Sequence, residues 1–170
     1  MLYKKYPRAQ SDRWGISTTL ANRRKKMTTN LPVPRFHLLA KPTGATCNLA
    51  CSYCFFLDKE LLYPDSHFRM TDETLENYIR QIIESHQSSE VTIAWQGGEP
   101  TLMGVDFYRK VVALQQKLAA GKLILNDFQT NGTLIDEPWC EFLKEHDFLV
   151  GLSVDGPKYL HDHFRVSRGG

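Results

Sequence analysis

Three cysteines lie close together in the first third of the chain, at Cys47, Cys51 and Cys54. Their CxxxCxxC spacing places three thiols in one short loop. Three thiolates can hold three corners of a cubane [4Fe–4S] cluster, whereas complete cysteine ligation of such a cluster takes four. One iron would then have no protein ligand and would be open to a small molecule.

Zinc is the alternative metal for this group of cysteines. Structural zinc favours four nitrogen or sulfur ligands in tetrahedral geometry, and His67 or His37 can complete a Cys₃His set. A second CxxC pair, which is typical of such sites, does not occur in the sequence. The fourth cysteine, Cys140, lies beside Trp139 on a predicted helix, where we expect a buried structural thiol and not a metal ligand.

The QGGEP sequence at residues 96–100 favours the cluster, because zinc leaves it without a role. Two successive glycines, Gly97 and Gly98, let the backbone approach a ligand closely, and we expect the space beside them to be reserved for that ligand. Glu99 adds a carboxylate that can accept from an ammonium group. An open iron can chelate the amino and carboxylate groups of S-adenosylmethionine (SAM). An electron from the reduced cluster can then cleave SAM to methionine and a 5′-deoxyadenosyl radical.

The rest of the chain alternates predicted strands with predicted helices. We expect strands at residues 36–40, 91–95, 123–131 and 148–155. Helices are expected at residues 70–86, 104–119 and 136–146. Thr71 and Asp136 are suitable N-caps for the first and third of them. Strands separated by single helices are typical of right-handed βαβ units and predict an α/β fold with a parallel sheet.

Each predicted strand ends in a chemically distinctive sequence. In chain order these are CNLACSYC, QGGEP, QTNG and SVDG. Ligand-binding residues of parallel sheets and barrels gather at the carboxyl ends of the strands. The four sequences therefore predict one site at one edge of the sheet.

The composition indicates a globular protein: 42% of the 170 residues are hydrophobic and 24% are charged. No stretch reaches the roughly 18 apolar residues of a membrane span, so we expect a cytoplasmic protein with no membrane partner. Residues 1–26 carry eight Lys and Arg against one acid, Asp12. We interpret residues 1–34 as a basic, disordered leader that binds no nucleic acid, and residues 35–170 as the domain.

CxxxCxYC followed by GGEP resembles the radical SAM superfamily. The longer sequences KPTGATCNLACSYCFF, WQGGEPTL, FQTNGTL and GLSVDGP are similar to those of the anaerobic sulfatase-maturating enzymes. The resemblance extends from about Pro34 to the end of the chain. It implies the first part of a (βα)₆ radical SAM barrel, with about four βα units present.

The resemblance also implies roles for individual residues. Three would bind the cluster: Cys47, Cys51 and Cys54. Tyr53 would lie by the adenine of SAM, and Ser153 and Arg165 would match the family's residues for ribose and carboxylate. The methionine end of SAM would be held by the QGGEP residues: Gln96, Gly97, Gly98, Glu99 and Pro100.

The family converts a cysteine or serine of an unmodified sulfatase polypeptide to formylglycine. The adenosyl radical abstracts a Cβ hydrogen, a base removes the heteroatom proton, and an electron departs. The resemblance therefore implies a sulfatase polypeptide as partner and an electron donor such as flavodoxin or ferredoxin.

The family's acidic base and two auxiliary clusters have no counterpart in this sequence. We therefore expect a truncated radical SAM oxidoreductase that is not fully active. Two alternatives stay open: another peptide-modifying radical SAM enzyme, and a catalytically inactive metal-binding fragment.

Overall fold

The computed structural model describes residues 36–169 of the chain. Its four strands form one parallel sheet in the chain order β1-β2-β3-β4. The strands are β1 (Leu38–Ala40), β2 (Glu90–Trp95), β3 (Leu123–Thr130) and β4 (Leu149–Leu152). The helices are α1 (Asp72–Ser85), α2 (Val105–Leu118), α3 (Glu137–Glu145) and α4 (Lys158–Phe164), with 3₁₀ helices at Leu57–Leu62 and Pro100–Met103.

The strand register aligns the carboxyl ends of the strands. Ala40 pairs with Trp95, Trp95 with Phe128, and Thr130 with Leu152. All strands run in the same direction, so the loops that follow them leave from one edge of the sheet. The predicted parallel α/β fold is confirmed.

Local capping explains where two of the helices begin. The Thr71 hydroxyl accepts from the Thr74 amide at 3.2 Å and caps α1. Asp136 accepts from the Trp139 amide at 3.1 Å and caps α3. Each bond satisfies an amide that has no partner within its own helix. Both predicted N-caps are therefore confirmed.

The core lies between one face of the sheet and the helices. Alternate residues of β2 point into it, and so does the buried stripe of α1 formed by Leu75, Ile79, Ile82 and Ile83. Trp95 lies at its centre and meets the Tyr108 ring edge-on, at 5.6 Å between centroids. The Trp95 indole donates to the Asn126 side chain at 2.9 Å, which satisfies the polar atom that this large ring buries.

The predicted elements agree with the structure apart from their ends. The largest difference is at β4, which ends at Leu152. The Ser153 amide still donates to the Thr130 carbonyl at 3.0 Å, and the chain then leads into α4. Helix α4 was not predicted; it has seven residues and none of them is buried, so it lacks an apolar stripe. The proposed leader, residues 1–34, lies outside the described residues. Within residues 36–169 no helix has the length and apolar character needed to cross a membrane.

Candidate functional site

One cavity at the carboxyl edge of the sheet collects most of the predicted site residues. Its lining includes residues from the loops after all four strands. The predicted residues that line it are Cys47, Cys51, Cys54, Gln96, Gly97, Gly98, Glu99, Ser153 and Arg165. The loops after the four strands therefore meet at one edge of the sheet, as their parallel geometry predicts.

Two predicted residues lie outside the lining of this cavity. Pro100 is buried at the start of the second 3₁₀ helix, and its carbonyl accepts from the Tyr108 hydroxyl at 3.2 Å. Tyr53 is half exposed, and its contacts with Arg165 and Asp155 connect it to the site. Pro100 therefore shapes the turn from within the protein and does not face the cavity.

The QGGEP turn docks on the loop that leads to the cysteines. The Gln96 amide donates to the Ala40 carbonyl at 2.8 Å, which extends the pairing of β1 and β2. The Gly98 amide donates to Gly44 at 2.8 Å, and the Glu99 amide to Thr46 at 2.9 Å. The second and third of these bonds fix the backbone immediately before Cys47.

The space beside Gly98 corrects one expectation from the sequence. A Cβ at Gly98 would lie 2.0 Å from the Thr46 carbonyl oxygen and 2.7 Å from the Ala45 oxygen. Gly97 has φ +134°, and a Cβ there would lie 3.0 Å from the Gly44 oxygen. The glycine pair therefore makes room for the cysteine loop, and the expectation that this space is reserved for a ligand was wrong.

Glu99 is a buried carboxylate with 1% of its surface exposed. Its Oε1 accepts from the Thr101 amide at 3.0 Å, the Thr101 hydroxyl at 2.6 Å and the Thr130 hydroxyl at 2.7 Å. Its Oε2 accepts from the Asn131 amide at 2.8 Å. These four bonds offset the cost of burying the charge, and they join the end of β2 to the end of β3.

Arg165 is held by a bidentate ion pair with Asp155. Its Nε and Nη2 lie 2.9 Å and 3.0 Å from the two carboxylate oxygens. Tyr53 donates to the same carboxylate at 2.5 Å and lies beneath the guanidinium. The bond from Arg165, with that from Tyr53, lowers the pKa of Asp155 below its usual value. Desolvation, together with the bond to Asp155, raises the pKa of Tyr53 to about 12, so Tyr53 keeps its proton at neutral pH.

The segment after α4 closes over the cysteine loop. The Ala50 amide donates to the Val166 carbonyl at 2.7 Å, and the Ser52 amide to Phe164 at 3.0 Å. Leu49 and Ser167 form an isolated antiparallel bridge. Backbone groups more than 100 positions later in the sequence therefore hold the loop on both sides of Cys51.

Several residues of the site were not singled out from the sequence. The Gln129 amide donates to the Ser153 hydroxyl at 2.9 Å, and a Cβ at Gly151 would lie 2.3 Å from the Gln129 side chain. Lys41 lines the cavity with its ammonium 3.6 Å from the centre of the Phe56 ring. The available signal was position, since Lys41 directly follows β1 and Gln129 is the first residue of QTNG.

The three thiols have the chemistry that a metal cluster needs. Burial raises the pKa of Cys47 and also that of Cys51, so both hold their protons until a metal displaces them. Among residues 36–169, no three His, Cys, Asp or Glu side chains converge on a point that one metal ion could occupy. A cubane does not need such convergence, because each thiolate binds a different iron. The residues therefore fit a [4Fe–4S] cluster.

The two histidines considered as zinc ligands and the fourth cysteine lie away from the cavity. His67 is exposed, and neither it nor His37 is part of the cavity lining. Cys140 is exposed on α3, because the apolar face of that helix is formed by its neighbours Trp139, Phe142 and Leu143. The expectation of a buried thiol at Cys140 was therefore wrong.

Comparison with known proteins agrees with this geometry. The model of the Radical SAM superfamily matches residues 42–169, and the chain belongs to this family. Its relatives include the serine-type anaerobic sulfatase-maturating enzyme of Bacteroides thetaiotaomicron, 44% identical over 147 residues that make up 85% of this chain and 36% of the relative. The cysteine-type enzyme of Clostridium perfringens is 45% identical over 132 residues, which are 76% of this chain and 35% of the relative.

A solved structure described as native anSMEcpe with bound AdoMet superimposes with a TM-score of 0.71 at 44% identity. The superposition covers 78% of this chain and 36% of that one. The chain thus spans about 36% of the length of these relatives.

We predict that Gly98→Ala prevents stable cluster assembly, because the new methyl group would collide with the Thr46 carbonyl next to Cys47. Overpacking of this kind costs about 1–3 kcal/mol. Gly104→Ala is the matched control: Gly104 has φ +81°, but no atom lies within 4 Å of its added Cβ.

Urea unfolding should show that both variants lose stability. Iron content after anaerobic reconstitution should fall sharply only for Gly98→Ala. Normal iron content in Gly98→Ala would contradict the docking role given to this glycine.

Proposed function

We propose that Cys47, Cys51 and Cys54 bind a [4Fe–4S] cluster, and that the chain binds SAM at the open iron and cleaves it reductively. The main support for both roles is that the three thiols share one cavity with the QGGEP turn, Ser153 and Arg165. A cluster alone would need only the cysteines. SAM also has an amino acid end and a nucleoside end that need polar partners. Polar and charged groups from three further strand ends line the same cavity and can supply them.

The bound cluster would supply one electron to the SAM sulfonium, giving methionine and a 5′-deoxyadenosyl radical that abstracts hydrogen from a substrate. Arg165 would bind the carboxylate or the ribose of SAM. Its Nε and Nη2 face Asp155, and a guanidinium has five N–H donors, so three remain for a ligand. Asp155 would thus orient Arg165 towards the cavity.

Ser153 would donate to the ribose. Its hydroxyl oxygen accepts from Gln129, which leaves the hydroxyl proton for a ligand. The backbone carbonyls of Gln96, Gly97 and Gly98 would accept hydrogen bonds from the ammonium group at the methionine end of SAM. The negative charge of Glu99 would add to the attraction. Tyr53 would lie by the adenine, and its ring would pack against the guanidinium of Arg165. Pro100 would act only on the shape of the turn.

We also propose that the substrate is a sulfatase polypeptide whose active-site cysteine or serine becomes formylglycine. The support is the 43–45% identity to both serine-type and cysteine-type sulfatase-maturating enzymes over most of the chain. One matched structure contains anSMEcpe with bound AdoMet and a Kp18Cys peptide. The mass of a sulfatase-motif peptide incubated with the reduced protein and SAM tests this assignment.

The proposal extends to the setting of the reaction. A flavodoxin or ferredoxin would donate the electron, the protein would work in the cytoplasm, and neither nucleic acid nor membrane would take part. Residues 1–34 would be a leader outside the radical SAM domain of residues 35–170.

The first prediction from this proposal concerns the cluster. Anaerobically reconstituted protein should carry about four irons per chain, and Cys51→Ala should abolish its thiolate-to-iron absorption because two thiolates rarely retain a cubane. Cys140→Ala is the control, since Cys140 is exposed on α3. If Cys140→Ala lost the iron and Cys51→Ala kept it, the ligand assignment would be wrong.

The second prediction concerns SAM. Arg165→Ala should raise the Kd for SAM by roughly 10-fold to 100-fold, as expected for losing a charged hydrogen bond worth about 1.5–3 kcal/mol. The Kd of Arg165→Lys should lie between those of the wild type and Arg165→Ala, because lysine keeps the positive charge but lacks the planar guanidinium. Arg109→Ala on α2 is the control; its side chain is exposed and pairs with Asp106.

Equilibrium binding to the reconstituted protein and the yield of 5′-deoxyadenosine under dithionite measure both effects. Unchanged SAM affinity in Arg165→Ala, with normal iron content, would remove Arg165 from the site. No 5′-deoxyadenosine from the wild-type protein with a complete cluster would favour the inactive metal-binding fragment.

A further inference from the structure

Asn131 connects the cysteine loop to two other strand ends. Its backbone amide donates to Glu99 Oε2 at 2.8 Å. Its side-chain Nδ2 lies 2.9 Å from Asn48 Oδ1 and 3.8 Å from Cys47 Sγ. Its Oδ1 accepts from Thr133. A single side chain at the end of β3 therefore contacts both the cysteine loop and the turn that follows its own strand.

The orientation of the Asn131 amide follows from its partners. The Thr133 backbone amide lies 2.9 Å from Asn131, and a backbone N–H can only donate, so the atom it meets must be Oδ1. The Thr133 hydroxyl donates to the same oxygen at 2.7 Å. The Asn48 amide, with its Oδ1 towards Asn131, then donates to that hydroxyl at 2.7 Å. Nδ2 of Asn131 must therefore face Cys47.

The sulfur of Cys47 has two N–H groups directed at it. The Leu49 amide lies 3.4 Å from Sγ and Asn131 Nδ2 lies 3.8 Å from it. Asn48 Oδ1 is 3.9 Å from the sulfur and faces Nδ2 as well. Once iron displaces the thiol proton, Sγ can only accept, so both N–H groups would stabilise its negative charge.

We propose that Asn131 is a positioning residue that orients Cys47 and raises the reduction potential of the cluster bound there. The inference rests on the cluster assignment of the proposed function. One-electron reduction adds a negative charge that the ligating sulfurs share, and hydrogen bonds to those sulfurs stabilise the more negative state. The electron comes from an external low-potential reductant. No proton moves, because Nδ2 keeps both hydrogens.

Two substitutions separate this effect from a general loss of structure. Asn131→Leu replaces the amide donor with an apolar side chain of similar size. Asn131→Asp keeps an oxygen for Thr133 but turns a carboxylate oxygen towards Cys47. It should therefore lower the reduction potential as Asn131→Leu does, and by more. Asn77→Asp on α1 is the matched control, because it makes the same change outside the cavity lining, at a side chain that accepts from Arg80 at 3.0 Å.

The experiment is a dithionite titration of the full reconstituted chain, monitored by electron paramagnetic resonance. Asn131→Leu should shift the midpoint potential to more negative values by up to a tenfold change in the one-electron equilibrium constant, which is 59 mV. Asn131→Asp should shift it further, and Asn77→Asp should leave it at the wild-type value.

The outcomes separate the cluster assignment from the role of Asn131. A wild-type protein that assembles no cluster would overturn the proposed function itself. Equal potentials in wild type and Asn131→Leu, or an equal shift in Asn77→Asp, would overturn the role of Asn131 alone. If both Asn131 variants lost their iron, wild-type protein with ¹⁵N in its asparagine side chains would give the answer. The reduced cluster should then show hyperfine coupling to an asparagine amide nitrogen, and no coupling would contradict the proposal.

Discussion

The site depends on the close approach of two backbone segments at Gly98 and Thr46. Because β1 and β2 are parallel neighbours, the loops that follow them must leave the sheet side by side. The amides of Gly98 and Glu99 then bond to carbonyls of the cysteine loop, and only a residue without Cβ fits at Gly98. Backbone hydrogen bonds thereby fix the approach to Cys47 before any metal is present.

The other strand ends are tied to this contact by charged hydrogen bonds. Glu99 is buried, and an unpaired carboxylate in that position would be costly; its four donors come from the 3₁₀ helix and from the end of β3. At the end of β4, Asp155 holds Arg165 in a fork of two bonds. Both carboxylates act on other protein groups, so they set the geometry of the cavity.

The sequence predicts the sheet well because its signals are local. Alternating apolar residues and N-caps such as Thr71 and Asp136 depend on neighbours within a few residues. The gathering of CNLACSYC, QGGEP, QTNG and SVDG follows from parallel strand geometry alone. The functions of single residues were harder to predict. The partner of Gly98 is a carbonyl about 50 residues earlier in the chain, and the exposure of Cys140 depends on which face of α3 meets the core. The closure of the cysteine loop by residues 164–168 has no local signal at all.

If Cys47, Cys51 and Cys54 each bind one iron of the proposed cluster, one iron stays open for SAM. The most direct test is ⁵⁷Fe Mössbauer spectroscopy of the reconstituted protein with and without SAM. SAM should change the isomer shift of one of the four irons, because only that iron lacks a cysteine ligand. A spectrum in which SAM leaves every iron unchanged, although the cluster is complete, would contradict this ligation.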